Sequence, residues 1–388
     1  VDSTATIEGF TLTGGSAQAG GGMSHQWSSA TVIRCTFIGN WAHNGGGMSL
    51  LIRSLPTLFQ CTFIDNYADF DGGGLYCAPT THTTLNECHF SGNSARYRGG
   101  GMYCWRGPRA VLNDCTFVDN TAAQGGGLRC WIASPTLSHC RFIGNTAEKG
   151  GGIFFEAGTY PIDISHCTFY HNASDSGAAL FCKFGVPVTV SNSILAFSTY
   201  GVGVLCDSVT VPAFSCTDVY GNAAGDWVGY VADQYGVDGN ICADPLFCNP
   251  EIGDFSISAY SPCEPGHSGC GLMGADSVGC FLTPVAESAA DPPAAFHLGL
   301  PLPNPFNPFT EIRYAIPPGA TRSDVSLDVY DVGGRHVKTL VDREDGPGTY
   351  RVRWDGTDHA GAVIASGVYF LRMTCDGRSE TRRMVLLR

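Results

Sequence analysis

From Val32 to Phe181 the chain places apolar residues in short alternating bursts that recur at a fixed interval. Runs such as Val32-Ile33, Thr57-Leu58-Phe59, Thr84-Leu85, Val111-Leu112, Thr136-Leu137 and Ile162-Asp163-Ile164 each lead into Cys-x-Phe-x-x-Asn. The cysteines are Cys35, Cys61, Cys88, Cys115, Cys140 and Cys167, at intervals of 26, 27, 27, 25 and 27 residues. About ten residues after each comes a glycine run, such as Gly45–Gly47, Gly72–Gly74 or Gly99–Gly101, and then a second apolar burst. Two-residue alternation inside a repeat of this length predicts a solenoid of stacked strands joined at tight corners.

Alternation also sorts residues onto faces. Each Cys and the Phe two positions on share the inner face (Cys61 with Phe63, Cys115 with Phe117), and Thr62, Thr116 and their equivalents point outward. The asparagines Asn40, Asn66, Asn93, Asn120, Asn145 and Asn172 recur at a corner. In coils stacked ~4.8 Å apart they are expected to form a structural ladder that satisfies its own amides and the turn backbone. After each glycine run, Met23, Met48, Leu75, Met102, Leu128, Ile153 and Leu180 face inward, followed two positions later by Leu50, Cys77, Cys104, Cys130, Phe155 and Cys182. The outward positions between them read Ser24, Ser49, Tyr76, Tyr103, Arg129, Phe154 and Phe181, with Trp105 and Trp131 one coil apart beside them. A column of exposed rings is expected to be covered by a protein partner or by a glycan. Tyr76, Tyr103, Trp105, Trp131, Phe154 and Phe181 are therefore the candidate binding residues.

The pattern extends beyond the perfect repeats. Ile7-Glu8-Gly9-Phe10-Thr11-Leu12 puts Phe10 in the Cys slot and Leu12 in the Phe slot, so the solenoid is already running at residue 7. Val188–Leu195 puts Ser193 and Leu195 in the same slots, and Ala213–Asn222 reads as one more coil with Cys216 and Tyr220. A first coil with nothing stacked above it exposes an apolar cross-section, so the Val1 end is expected to meet another chain, head to tail.

Composition narrows the function. Residues 1–300 hold 24 acidic and 10 basic side chains and residues 301–388 hold 11 and 12, within a chain of net charge −13. So few cations exclude nucleic acid as a partner and disfavour polyanionic glycans. No apolar run is long enough to span a membrane. Of the 18 cysteines, Cys206, Cys216, Cys242, Cys248, Cys263, Cys270 and Cys280 crowd a turn-rich stretch, which reads as disulfides formed in an oxidising compartment. Asp65, Asp69 and Asp71 make the densest acidic turn, with Asp114 and Asp119 further on, but the acids do not recur in register. No metal, cofactor or catalytic residue is expected.

Cys-x-Phe-x-x-Asn-x-Ala followed by Gly-Gly-Gly-[Met/Leu/Ile] resembles the repeat of polymorphic outer-membrane proteins, a right-handed parallel β-helix. Gly239–Phe247, Gly253-Asp254-Phe255 and Ser261-Pro262-Cys263 are similar to the ends of such helices in secreted bacterial proteins. The resemblance covers about residues 1–283 and implies about nine to ten coils. Residues 284–300, rich in Ala and Pro, read as a linker. Beyond it, alternation predicts strands at Thr310–Ile316, Val325–Val332, His336–Leu340, Gly348–Trp354, Gly367–Thr374 and Thr381–Leu387, a small β-sandwich over 301–388. Pro303-Asn304-Pro305-Phe306-Asn307-Pro308, Val329–Arg335, Trp354-Asp355-Gly356 and Ser366–Phe370 resemble the C-terminal sorting domain of type IX secretion substrates and the hook-capping type of Ig-like domain.

The fold expected is therefore all-β, a right-handed parallel β-helix followed by an Ig-like sandwich. The resemblance implies export to the cell surface or exterior of a Gram-negative-type bacterium, with residues 301–388 engaging the secretion machinery. The expected role is non-enzymatic, structural or adhesive, with self-association into filaments or contact with other surface proteins. A carbohydrate-active enzyme and a glycan-binding module are the alternatives.

Overall fold

The computed structural model describes residues 5–280 except 108, 159 and 266–268, residues 296–299 and 301, and residues 310–386 except 317–322, 347, 355, 360, 361, 376 and 377. The chain divides into two compact units, Val1–Pro284 and Val285–Arg388.

The first unit is a parallel solenoid. Each full coil contributes one short strand to each of four sheets, as in Thr57–Phe59, Thr62–Ile64, Tyr67–Asp71 and Leu75–Cys77. The four sheets contain nine, nine, seven and eight strands among the described residues. Pairing is in register from coil to coil, so Phe37 lies against Phe63, and Phe63 against Phe90. Identical side chains then stack in columns. The six inner phenylalanine rings from Phe37 to Phe169 lie parallel, with neighbouring centroids between 4.6 and 4.9 Å apart. The cysteines of the repeat sit beside them as free, buried thiols, acting as small apolar fillers.

The asparagine ladder forms as the spacing predicts. Asn93 Nδ2 donates to Asn120 Oδ1 at 3.0 Å and to the Phe63 carbonyl at 2.9 Å, while Asn93 Oδ1 accepts from the Asn66 backbone N–H at 3.1 Å. The same triad of bonds recurs at Asn66, Asn120 and Asn145. Each corner amide thus serves three coils at once.

Left-handed backbone turns the corners, and not only at glycine. Between the first and second sheets the turning residues are Arg34, Gln60, Glu87, Asp114, His139, His166, Asn192 and Cys216, all at positive φ. Between the second and third sheets, residues with side chains alternate with glycine from Gly39 to His171, whereas Gly14 precedes Gly39 and Phe197 follows His171. Asp65 and Asp119 lean over the corners of the coils that follow, so that a Cβ on Gly92 or Gly144 would collide with their carboxylates. Phe197 covers Gly221 in the same way. Glycine is required there for the space above it, since residues with side chains adopt the same left-handed φ at the neighbouring corners.

Both end coils lie where alternation places them: Ile7 pairs with Val32, Leu12 with Phe37, and Leu195 with Phe169. In the last coil the inner slots differ from the sequence reading by one residue. Val219 pairs with Leu195 and is buried, whereas Cys216 turns the corner and Tyr220 faces outward. Beyond it, Trp227 packs edge-on against Phe214 and donates its indole N–H to the Ile241 carbonyl at 2.9 Å. Phe247, Phe255, Ile257 and Met273 then fold back over Tyr170, Ile194 and Ala196 on the outside of the second sheet, where Arg141 pairs with Asp276.

Disulfides Cys216–Cys270 and Cys248–Cys280 fasten this cap. Cys206, Cys242 and Cys263 are free. Cys206 belongs to the fourth sheet, paired with Cys182 as one more inward ladder member rather than a cap residue.

The second unit is a two-sheet antiparallel domain. His297–Leu298, Thr310–Ile316 and Gly348–Trp354 form one sheet; Ser323–Asp331, His336–Asp345, Gly367–Cys375 and Arg378–Leu386 form the other. Leu298, Tyr314, Leu327, Trp354, Leu371 and Met384 lie in its core. Leu298 is fully buried, so the domain begins inside the stretch read as a linker. Residues 284–295 and the Pro303–Pro308 segment fall outside the described residues.

Candidate functional site

The outward column of the fourth sheet is not exposed. Tyr76, Tyr103 and Phe154 are buried, and Trp105, Trp131 and Phe181 half-buried. The cover comes from the same repeat. Each glycine corner brings the last residue of a third-sheet strand against the outward residue of the fourth sheet that follows. Ser49 Oγ donates to the Asn44 carbonyl at 2.7 Å, Arg129 Nε reaches Gln124 Oε1 at 3.4 Å, and the Arg98 guanidinium lies 5.9 Å from the Tyr103 ring centroid. Leu51, Trp105 and Trp131 pack against Tyr76 and Tyr103 as a satellite core. Alternation gave the direction of these side chains but not the neighbouring strand that closes over them.

Charges complete this elbow. Arg129 is buried, with its guanidinium 3.8 Å from the Phe154 ring centroid and paired with Glu156, which also accepts from Lys183 Nζ at 3.1 Å. Asp71 is buried beside Arg98, 3.5 Å away, and its second oxygen, Oδ1, has no hydrogen-bond partner among the described residues. Burial pushes its carboxyl up to about 6, and burial likewise holds the Tyr103 hydroxyl up at about 12. The elbow is a packed polar-aromatic seam.

The exposed rings lie one strand earlier. On the outside of the third sheet, Trp41, Tyr67, Phe70 and Tyr97 are each 39–43% exposed. Trp41 and Tyr67 are register partners on adjacent coils. His43, Phe70 and Tyr97 make a second row, with centroids 4.1 and 5.2 Å apart. Between the rows runs a file of small residues, Ala42, Ala68, Ala95, Ala122 and Ala147, in register and buried. Past Tyr67 the outward rings give way to smaller residues such as Ser94, Thr121 and Thr146, and a trough of about 530 Å³ opens between Tyr67 and Tyr200. The signal was legible: Trp-Ala-His, Tyr-Ala-Asp-Phe and Ser-Ala-Arg-Tyr follow the ladder asparagine in successive repeats.

A family model described as a right-handed beta helix region matches residues 1–131 and 96–222, more than half of the chain. The chain belongs to the right-handed β-helix family. In this β-helix the four sheets described above are the faces of its coils. A second model, the FlgD Ig-like domain, matches residues 310–379, so the small antiparallel unit is an Ig-like domain. No curated protein matches the chain.

Among solved structures, dimeric latent PorU from Porphyromonas gingivalis is similar at 19% identity and a TM-score of 0.21, over 28% of this chain and 10% of that one. PorZ, a surface component of the type-IX secretion system of the same organism, is similar at 21% identity and a TM-score of 0.17, over 26% of this chain and 13% of that one. The β-helix chain thus covers only a small part of either structure. Among the described residues no helix is long and apolar enough to cross a membrane.

The acidic residues singled out from the sequence do not converge. In the β-helix, Asp114 turns the corner between the first and second sheets, while Asp65 and Asp119 turn the next. Asp71 ends a third-sheet strand inside the elbow. Their side chains serve corners and a buried seam, each at its own place in the coil.

Proposed function

We propose that this β-helix is an exported, non-enzymatic protein of the cell surface or exterior, adhering through the outside of its third sheet. The observation that carries this reading is the platform of Trp41, Tyr67, Phe70 and Tyr97, large rings held exposed by a rigid scaffold. Such patches are costly in water unless something covers them. Two disulfides in the cap support an oxidising destination. The repeat's resemblance to polymorphic outer-membrane proteins, and that of residues 301–388 to secretion sorting domains, support export.

Beads coated with the full chain provide the test, flowed over layers of bacterial polysaccharide and matrix protein. The chain should retain beads on at least one layer, and Trp41→Ala with Phe70→Ala should release them. Retention unchanged by both substitutions would sink the adhesive role of this face. If a second copy of the chain occupies the platform, the native protein will show concentration-dependent mass in sedimentation that the same variant abolishes. Export is tested separately: a chain ending at Cys280 should stay inside producing cells, where the full chain is accessible to added protease.

A further inference from the structure

The third-sheet trough has a chemistry of its own along its length. One register row runs Tyr67, Ser94, Thr121, Thr146, Ala173, Tyr200. Rings thus stand at both ends and hydroxyls between them, and Tyr200 is 60% exposed. The floor is the file of Ala95, Ala122 and Ala147, which leaves the centre open to a depth that larger side chains would fill. The far rim carries Arg96 towards one end and Glu148 and Asp175 towards the other, so opposite charges are spread along it rather than gathered. Five coil steps of ~4.8 Å separate the two tyrosines, a run of about 24 Å.

We propose that this trough binds a neutral, linear polysaccharide chain along the solenoid axis. The proposal rests on the adhesive reading and names its ligand. A sugar chain presents apolar C–H faces to the terminal rings and hydroxyls to Ser94, Thr121 and Thr146, and it advances by about one sugar unit per coil. An extended peptide fits the trough less well. The amides of Tyr67, Ser94, Thr121 and Thr146 already donate to carbonyls of the preceding coil. Along the trough the sheet therefore offers no free edge for strand addition, and the amides of a peptide lying there would go unmatched. A polyanion would meet an acidic scaffold with a single arginine on the rim.

The test is calorimetric titration of the full chain with neutral linear hexasaccharides (β-glucan, xylan and mannan types), the matching disaccharides, polygalacturonate and an extended peptide. At least one neutral hexasaccharide should bind, with the disaccharide at least about tenfold weaker because it cannot reach both rings. Tyr67→Ala and Tyr200→Ala should each weaken binding by about three- to tenfold, whereas Trp131→Ala, in the elbow, should leave it unchanged. Circular dichroism checks that the variants fold; the length dependence needs no variant at all. No neutral ligand bound at millimolar concentration, preference for the polyanion or peptide, or indifference to both tyrosine substitutions would each overturn the proposal. None of these would touch the export test, which reads location alone.

Discussion

Repetition makes single residues unusually consequential. Phe117 stacks between Phe90 and Phe142 and is fully buried, so Phe117→Ala should cost about 3–5 kcal/mol, read from the denaturant midpoint. Asn120→Ala leaves the Phe90 carbonyl and both Asn93 donors without their partner, and buried orphans cost about 1–3 kcal/mol each. Asn120→Ala should therefore be at least as damaging as Phe117→Ala although it removes far less apolar surface; a smaller loss would show that the ladder is ornamental. Both roles were legible, because spacing alone fixes which side chains stack. The burial of Tyr76 and Tyr103 was not, because it depends on Arg98 and its equivalents arriving from another sheet.

Asp71 gives that hidden contact a measurable signature. Its folded carboxyl stands at about 6 against an ordinary 3.8, raised by burial and only partly offset by Arg98, Arg129 and His43. The folded chain holds this proton more tightly than the unfolded one. The associated stability is therefore present in full below the ordinary value and is lost as pH rises through about 6. Asp71→Asn should match the native protein near pH 4 and exceed it near pH 7, by roughly 2 kcal/mol. An offset that is the same at both pH values would count against a raised carboxyl.

At the scale of elements, alternation located the sandwich strands closely: Thr310–Ile316 and Gly348–Trp354 match the structure end to end. It missed the short His297–Leu298 strand, two residues being too few to show a period. The cap was harder still. Its irregular chain has no repeat, and crowded cysteines announce disulfides without their pairing. Those pairings close loops of sequence separation 54 and 32, each worth about 3–4 kcal/mol by chain entropy. Cys216→Ser with Cys270→Ser should loosen the cap before the coils: limited proteolysis should cut between residues 222 and 280 while residues 31–196 stay protected. Simultaneous digestion of both would mean the cap and coils unfold as one body.

Among the described residues each unit has its own main core, stacked ladders in the β-helix and sandwich residues around Trp354 in the Ig-like domain. Separate cores predict two resolved transitions in calorimetry, and a single sharp one would refute their independence.

The corner glycines set a rule for how such a molecule changes length. Asp65 occupies the place over Gly92, and Asp119 the place over Gly144, so within the alternating stretch from Gly39 to His171 the unit that can be duplicated or lost without conflict is two coils. Excising residues 66–92 would seat the Asp65 carboxylate on the Cβ of Asp119, in a space that holds only a glycine hydrogen in the native chain. Excising residues 66–119 would seat it on Gly144 and restore the fit. The longer deletion should yield soluble, folded protein and the shorter one should not, so gain and loss inside this alternating stretch would come in even numbers of coils.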